Sequence, residues 1–299
     1  MESTALPAPL ELPSGRRNRV TERISLFIFW GIHVACLSAI WTGVSARAVA
    51  IAIALYWLRM FAITGGYHRY FSHRTYKTSR WFQFALAWLG ASSVQKGPLW
   101  WAATHRRHHR YSDLPGDVHS PRLHGFWQSH VGWIVGAKHV DTDMQLVKDL
   151  ARYPELVWLN PFHWVPPVLL AALCYLIAGG SGLVVGFGWS TVALWHGTFT
   201  INSLSHLFGR QRFVTGDDSR NNWLLALITM GEGWHNNHHH YMKSVNQGFY
   251  WWEIDMSYYL LRGLAAVGLV WDLRRPPVRV LAQANEGTTP AATATASVF

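Results

Sequence analysis

The sequence predicts an all-α membrane protein: four transmembrane helices in two hairpins, with a cytoplasmic helical cap holding a histidine-ligated dimetal site. Three observations predict it. Half of the 299 residues are apolar and only 14% are charged, and the apolar residues come in long blocks. Lys and Arg gather on one side of those blocks. Nine of the 17 histidines fall into spaced clusters that border the blocks.

A spanning helix takes about 20 apolar residues. Residues 24–44 and 46–64 qualify, joined by a very short turn at 45–47. Residues 165–182 and 183–204 form the second hairpin, reversing at Gly179-Gly180-Ser181-Gly182. Arg59 lies late in the second span, where its head group is expected to snorkel to the cytoplasmic face. The block 81–101 is also long, but it contains Gln95 and Lys96 and has Trp at both ends. A span there would put the first two histidine clusters on opposite sides of the bilayer, so the block is expected to lie in the interface or against the protein. These assignments divide the chain into a disordered cytoplasmic leader (1–23), an integral-membrane domain (24–275) and a tail (276–299).

Charge orients the spans. Lys and Arg number 4 before the first span, 12 between the second and third, and 8 after the fourth; the hairpin tips carry only Arg47. By the positive-inside rule both termini and the middle segment are cytoplasmic. The net charge of +10 flanks spans and forms no patch on a soluble domain, which argues against a nucleic-acid partner. Cys36 and Cys174 lie in apolar blocks without CxxC spacing and are expected to be free thiols.

The clusters are His68 and His73 in HRYFSH, His105, His108 and His109 in HRRHH, His206 four residues after Asn202 in NSLSH, and His235, His238 and His239 in HNNHH. Imidazole is the commonest metal ligand, and nine are too many for one ion. On a helix, residues four apart share a face. His105 and His109 therefore point one way and His108 aside, and His235 and His239 point together with His238 aside. Two clusters that each split two-plus-one suit two adjacent metals. The spacing of five in HRYFSH suits one face poorly and requires the helix to end between the two residues. Isolated histidines, such as His33, His119, His130, His163 and His196, read as interfacial or satisfied polar residues.

HRYFSH, HRRHH, NSLSH and GEGWHNNHH, with HSPRLHGFWQSHVGWI between them, resemble the membrane fatty-acid desaturases of the Δ9 type, from about Tyr56 to Trp252. The resemblance implies a di-iron centre, O2 as oxidant, and insertion of a cis double bond into a saturated acyl chain linked to CoA or lipid. It assigns His68, His73, His105, His109 and His238 to one iron. His108, His206, His235 and His239 go to the other, which Asn202 reaches through water. Asp113, Asp117, Glu232 and Asp255 are candidates to hold the ligands' second nitrogens. Tyr56 and Met60 are placed at the closed methyl end of a substrate tunnel. Lys138 stands alone where acyl-CoA enzymes carry several basic head-group residues. HPGG, CxxC and GxGxxG motifs do not occur, so electrons are expected from a separate ferredoxin, rubredoxin or cytochrome b5 with its reductase. The same histidine scheme also serves hydroxylases and ketolases. A histidine-rich metal transporter would need ligands inside several spans, which here are apolar.

Overall fold

The computed structural model describes residues 19–136 and 141–283, and it is mainly helical. Three helical stretches are long and apolar enough to cross a membrane: Arg23–Thr42, Ala46–Ser72 and Val165–His206, with mean hydropathies of 1.9, 1.7 and 2.3. The third has 42 residues, about 63 Å of helix and twice the hydrocarbon thickness. It does not run straight. Ala178 (φ −138°) and Gly179 (φ +59°) break the helix, Gly179 taking a left-handed conformation that glycine adopts without strain. Just before the stretch, the Asn160 side chain accepts from the Trp100 amide at 3.0 Å. At its middle, Ser181 Oγ accepts from the Ser45 amide at 3.1 Å. Near its end, Thr198 accepts from Gln95 at 2.9 Å. Both ends therefore lie beside residues 95–100 and the middle beside the 43–45 turn, so the stretch is a hairpin.

We label the elements that matter for the site α1 (Arg19–Cys36), α2 (Ala46–Phe61), α3 (Arg80–Ala91), α4 (Pro98–Tyr111), α5 (Val165–Ser181), α6 (Ser190–Ser203), α7 (His235–His240) and α8 (Met256–Ala266). Side by side, α1, α2 and the α5–α6 hairpin expose large apolar side chains such as Phe27, Trp30, Ile53 and Leu176, the inverse of a water-soluble surface. Glycine allows α2 and α6 to approach closely: a Cβ on Gly197 would stand 2.9 Å from the Tyr56 hydroxyl and 3.0 Å from Met60 Cε.

Several expectations are corrected here. The second apolar helix does not stop near 64. It continues from α2 as a π-helix, Ala62–Ser72, so His68 lies within it. The block 81–101 is two helices, α3 and α4, separated by a turn in which Val94 and Lys96 take positive φ. Arg59 does not snorkel; it is fully buried, bonded to Ser190, Thr191 and the Ser92 carbonyl. The chain also stays folded past 275: Val278–Ala282 is helical, with Val280 packed against Phe213 and Phe249. Residues 1–18, 137–140 and 284–299, including most of the expected leader and most of the tail, lie outside the described residues.

Candidate metal centre

The four histidine segments come together beside the ends of the long apolar helices. HRYFSH sits at the end of the π-helix, whose hydrogen bonds run from residue i to i+5. The His73 amide accordingly donates to the His68 carbonyl at 3.2 Å, and the two rings stand 4.8 Å apart. The spacing of five is thus one π turn, and the helix ends at Ser72, between the two histidines as the sequence reading required, with His73 as its cap. HRRHH occupies the last two turns of α4, and HNNHH is α7. His206 closes the short 3-10 turn after α6.

Within this cluster the imidazoles divide into two sets. Donor atoms of His68, His73, His105, His109 and His238 all lie within 4.8 Å of one another, as do those of His108, His206, His235 and His239. In the first set the Nε2 atoms meet at 2.9 Å (His73–His105), 3.0 Å (His105–His109), 2.9 Å (His109–His238) and 3.1 Å (His68–His238). In the second, His206 and His235 meet at 3.1 Å and His108 and His239 at 3.4 Å. Metal–nitrogen bonds of about 2.1 Å set donors about 3.0 Å apart at right angles and about 3.4 Å apart at the tetrahedral angle.

Hydrogen bonding does not account for these contacts. A neutral ring has one N–H. His108 directs Nδ1 at Asp117 (3.0 Å) and His239 at Asp217 (2.6 Å). Their protons are spent there, so their Nε2 lone pairs face each other and call for a cation between them. In the same way His206 Nδ1 donates to Asp113 at 3.0 Å and His68 Nδ1 donates to Glu232. Gln247 reaches the Nδ1 atoms of His68 and His238 at 3.3 and 3.5 Å, while its Oε1 is buried without a partner. Turning the amide over presents that oxygen to His238 Nδ1–H, the partner a metal-bound imidazole needs.

Electrostatics keep most of these rings neutral, as metal binding demands. Burial, then neighbouring rings, hold His73, His105, His109, His235 and His238 well below the usual imidazole pKa. Burial lowers His239 to about 4 against the opposing pull of Asp217. At His108 burial also opposes charge, but Asp117 outweighs it and the pKa is raised. Burial would raise Asp113, Asp117 and Asp217, but their bonds to His206, His108 and His239 hold all three far below the ordinary carboxylate range.

Asp255 touches no imidazole. It accepts from Arg69 at 2.8 Å and from the Gln247 amide at 2.7 Å, and Arg69 in turn donates to Glu232 at 3.0 Å. Gly231 (φ +114°) makes this approach possible, since a Cβ there would collide with Asp255. Sequence reasoning missed Arg69, Asp217 and Gln247. Only Asp217 carried a signal, as one of two adjacent carboxylates in TGDDS between the last two histidine segments.

Beside both sets lies a largely apolar cavity, with the kind of lining small-molecule sites use. Met60, Phe199, Trp133 and Asn202 line it, together with His68, His105 and His235. His119, read as an isolated histidine, also lines it, its ring tilted 36° against the His108 ring at 4.1 Å. Tyr56 lies outside this cavity: its hydroxyl donates to the Ile228 carbonyl at 2.7 Å, and it borders a separate pocket beside Trp57 and Trp189. Lys138 lies outside the described residues.

Fold and site together define a helical membrane protein with a nine-imidazole centre beside an apolar cavity. The fatty acid desaturase profile matches residues 16–273. A chloroplastic palmitoyl-monogalactosyldiacylglycerol delta-7 desaturase of Arabidopsis thaliana is 38% identical over 77% of this chain and 63% of its own length. An sn-2 palmitoyl-lipid 9-desaturase of Nostoc sp. (strain 36) is 36% identical over 81% of this chain and 87% of its own. An acyl-CoA 5-desaturase of Anemone leveillei is 36% identical over 86% and 80%. The chain belongs to the fatty acid desaturase family, and as such is an oxidoreductase, a fatty acyl desaturase.

Proposed function

We propose that this protein uses O2 to introduce a cis double bond, at the Δ9 position, into a saturated acyl chain carried by CoA or lipid. The observation that carries this reading is the pair of imidazole sets converging beside an apolar cavity. His68, His73, His105, His109 and His238 would hold one iron. His108, His206, His235 and His239 would hold the other, with Asn202 reaching it through water. Five nitrogen donors exceed the four of structural zinc sites, and this favours iron. When bound, iron with O2 supplies the oxidising power to take hydrogen from an unactivated methylene, which no acid–base side chain can do.

The chain's own residues supply orientation and exclusion. Asp113, Asp117, Asp217 and Glu232 hold Nδ1–H bonds that fix ring tautomer and direction. Asp255 supports Glu232 through Arg69. The cavity's apolar walls exclude water and hold an acyl chain beside the imidazoles, and Met60 closes it next to Gly197. We read four membrane crossings, two per hairpin, with both termini and the cap cytoplasmic. A separate ferredoxin, rubredoxin or cytochrome b5, with its reductase, delivers electrons at the cap.

Expression in a desaturase-deficient host, followed by gas chromatography and mass spectrometry of its fatty acids, tests the reading. A new product lacking two hydrogens supports it. A product carrying one added oxygen would mean a hydroxylase, and an unchanged profile in cells with an active donor would reject the proposed reaction. In the same assay Met60→Ala should lengthen the accepted chain; an unchanged length profile removes Met60 from the tunnel end.

A further inference from the structure

The two imidazole sets are backed by different charge. In the four-imidazole set, three rings donate Nδ1–H to carboxylates: His108 to Asp117, His206 to Asp113 and His239 to Asp217. All three carboxylates are buried, and among the described residues no Lys or Arg forms an ion pair with any of them. Their other hydrogen-bond partners are neutral, namely hydroxyls of Ser120, Thr215 and Ser219 and backbone amides of Asp113, His119, Asp218 and Ser219, and Asp117 also faces the His119 ring nitrogen at 3.9 Å. In the five-imidazole set only His68 meets a carboxylate, Glu232, and Arg69 neutralises it at 3.0 Å. His238 meets the neutral Gln247 amide. His73, His105 and His109 are only partly buried, whereas His108, His206 and His235 are buried.

Carboxylates that accept from ligand imidazoles raise ligand basicity. Buried negative charge, poorly screened, also favours the more highly charged ion. Both effects act on the four-imidazole set and barely on the other. Resting on the di-iron reading above, we propose that Asp113, Asp117 and Asp217 make the two irons electronically inequivalent. The four-imidazole set then favours Fe(III), and the first electron from a one-electron reductant converts the five-imidazole iron from Fe(III) to Fe(II).

The test is full-length protein in detergent, loaded with 57Fe and titrated with a one-electron chemical reductant. It is followed by Mössbauer and electron paramagnetic resonance spectroscopy. The expected half-reduced state is valence-trapped, with one ferrous and one ferric site of unequal population on the two ligand sets. Asp217→Asn removes one charge from the four-imidazole set and should make the second reduction step easier while leaving the first in place. Glu232→Gln should move the first step instead. Metal content and the unfolding temperature of each metal-free variant separate a local effect from failure to fold. Equal uptake by both irons, or movement of the first step by Asp217→Asn, overturns the inference. If either variant fails to fold, Asp117→Asn and Gln247→Glu make the same comparison from the other partners. Protein that binds fewer than two irons would instead overturn the di-iron reading, and the inference with it.

Discussion

Two fully buried arginines stand ten residues apart on the same continuous helix and are accommodated in opposite ways. Arg59, between the hairpins, meets only neutral partners: the Leu55 and Ser92 carbonyls, the hydroxyls of Thr191 (2.8 Å) and Ser190 (2.6 Å), and the Phe187 ring at 5.4 Å. Arg69, beside the histidine sets, lies between two buried carboxylates, Glu232 and Asp255. In the apolar half a cation is dispersed over dipoles and stitches helices together. Beside the histidines it balances two acids, one of which accepts from an imidazole. The contrast shows which half of the molecule is built around charge.

Deleting each cation sharpens that contrast. Arg69→Met strands two buried carboxylates and should destabilise the protein by about 3–5 kcal/mol, the usual loss when one partner of a buried pair is removed. Chemical unfolding in detergent measures it. Glu232→Gln keeps the shape and the Arg69–Asp255 pair but weakens the hold on His68. Iron affinity at the five-imidazole set should drop about 10–100-fold, read by metal analysis against a competing chelator; full affinity would mean Glu232 does not orient His68.

Arg59→Met strands no acid, and Ser190 and Thr191 still donate to the Gly186 and Phe187 carbonyls. Its loss should stay within about 2 kcal/mol, with iron content unchanged. A loss equal to that of Arg69→Met would erase the distinction between the halves.

The smallest effect is a pH dependence, carried chiefly by the clustered imidazoles. Folding lowers the pKa of His73, His105, His109, His235 and His238, and of His239 to about 4. Below about pH 6.5 the unfolded chain therefore binds more protons than the native one, and stability must fall with pH. Metal-free protein should unfold at progressively lower temperature between about pH 7 and 5. A flat profile would mean that the rings take up protons without unfolding.

Much of the site was legible because helical periodicity acts locally. The i, i+4 rule alone sorted His105 with His109 and His235 with His239, and the structure brings each pair into one set. The helix end between His68 and His73 was legible too, but the π turn that leads to it was not, since it is stabilised by tertiary packing and leaves no pattern in six residues. Asp217 and Gln247 resisted because nothing in their neighbourhoods distinguishes an acid or amide facing a ring from one facing water. Arg59 was misplaced for a related reason: snorkelling is the default for a lone cation, and only the approach of α6 and the 92–97 turn offers it enough oxygen atoms.

By itself the sequence determined the helical class, the apolar segments and the nine imidazoles, which follow from composition and short-range spacing, and the resemblance of its histidine motifs pointed to the family. Tertiary structure decided which carboxylate stands behind which ring and where the helix widens. It also decided which arginine finds an acid and how the cavity closes. Several of those outcomes depend on contacts between residues far apart on the chain (Asp113 lies 93 positions from His206 and Asp255 lies 186 from Arg69), and a one-dimensional pattern carries no record of such distances.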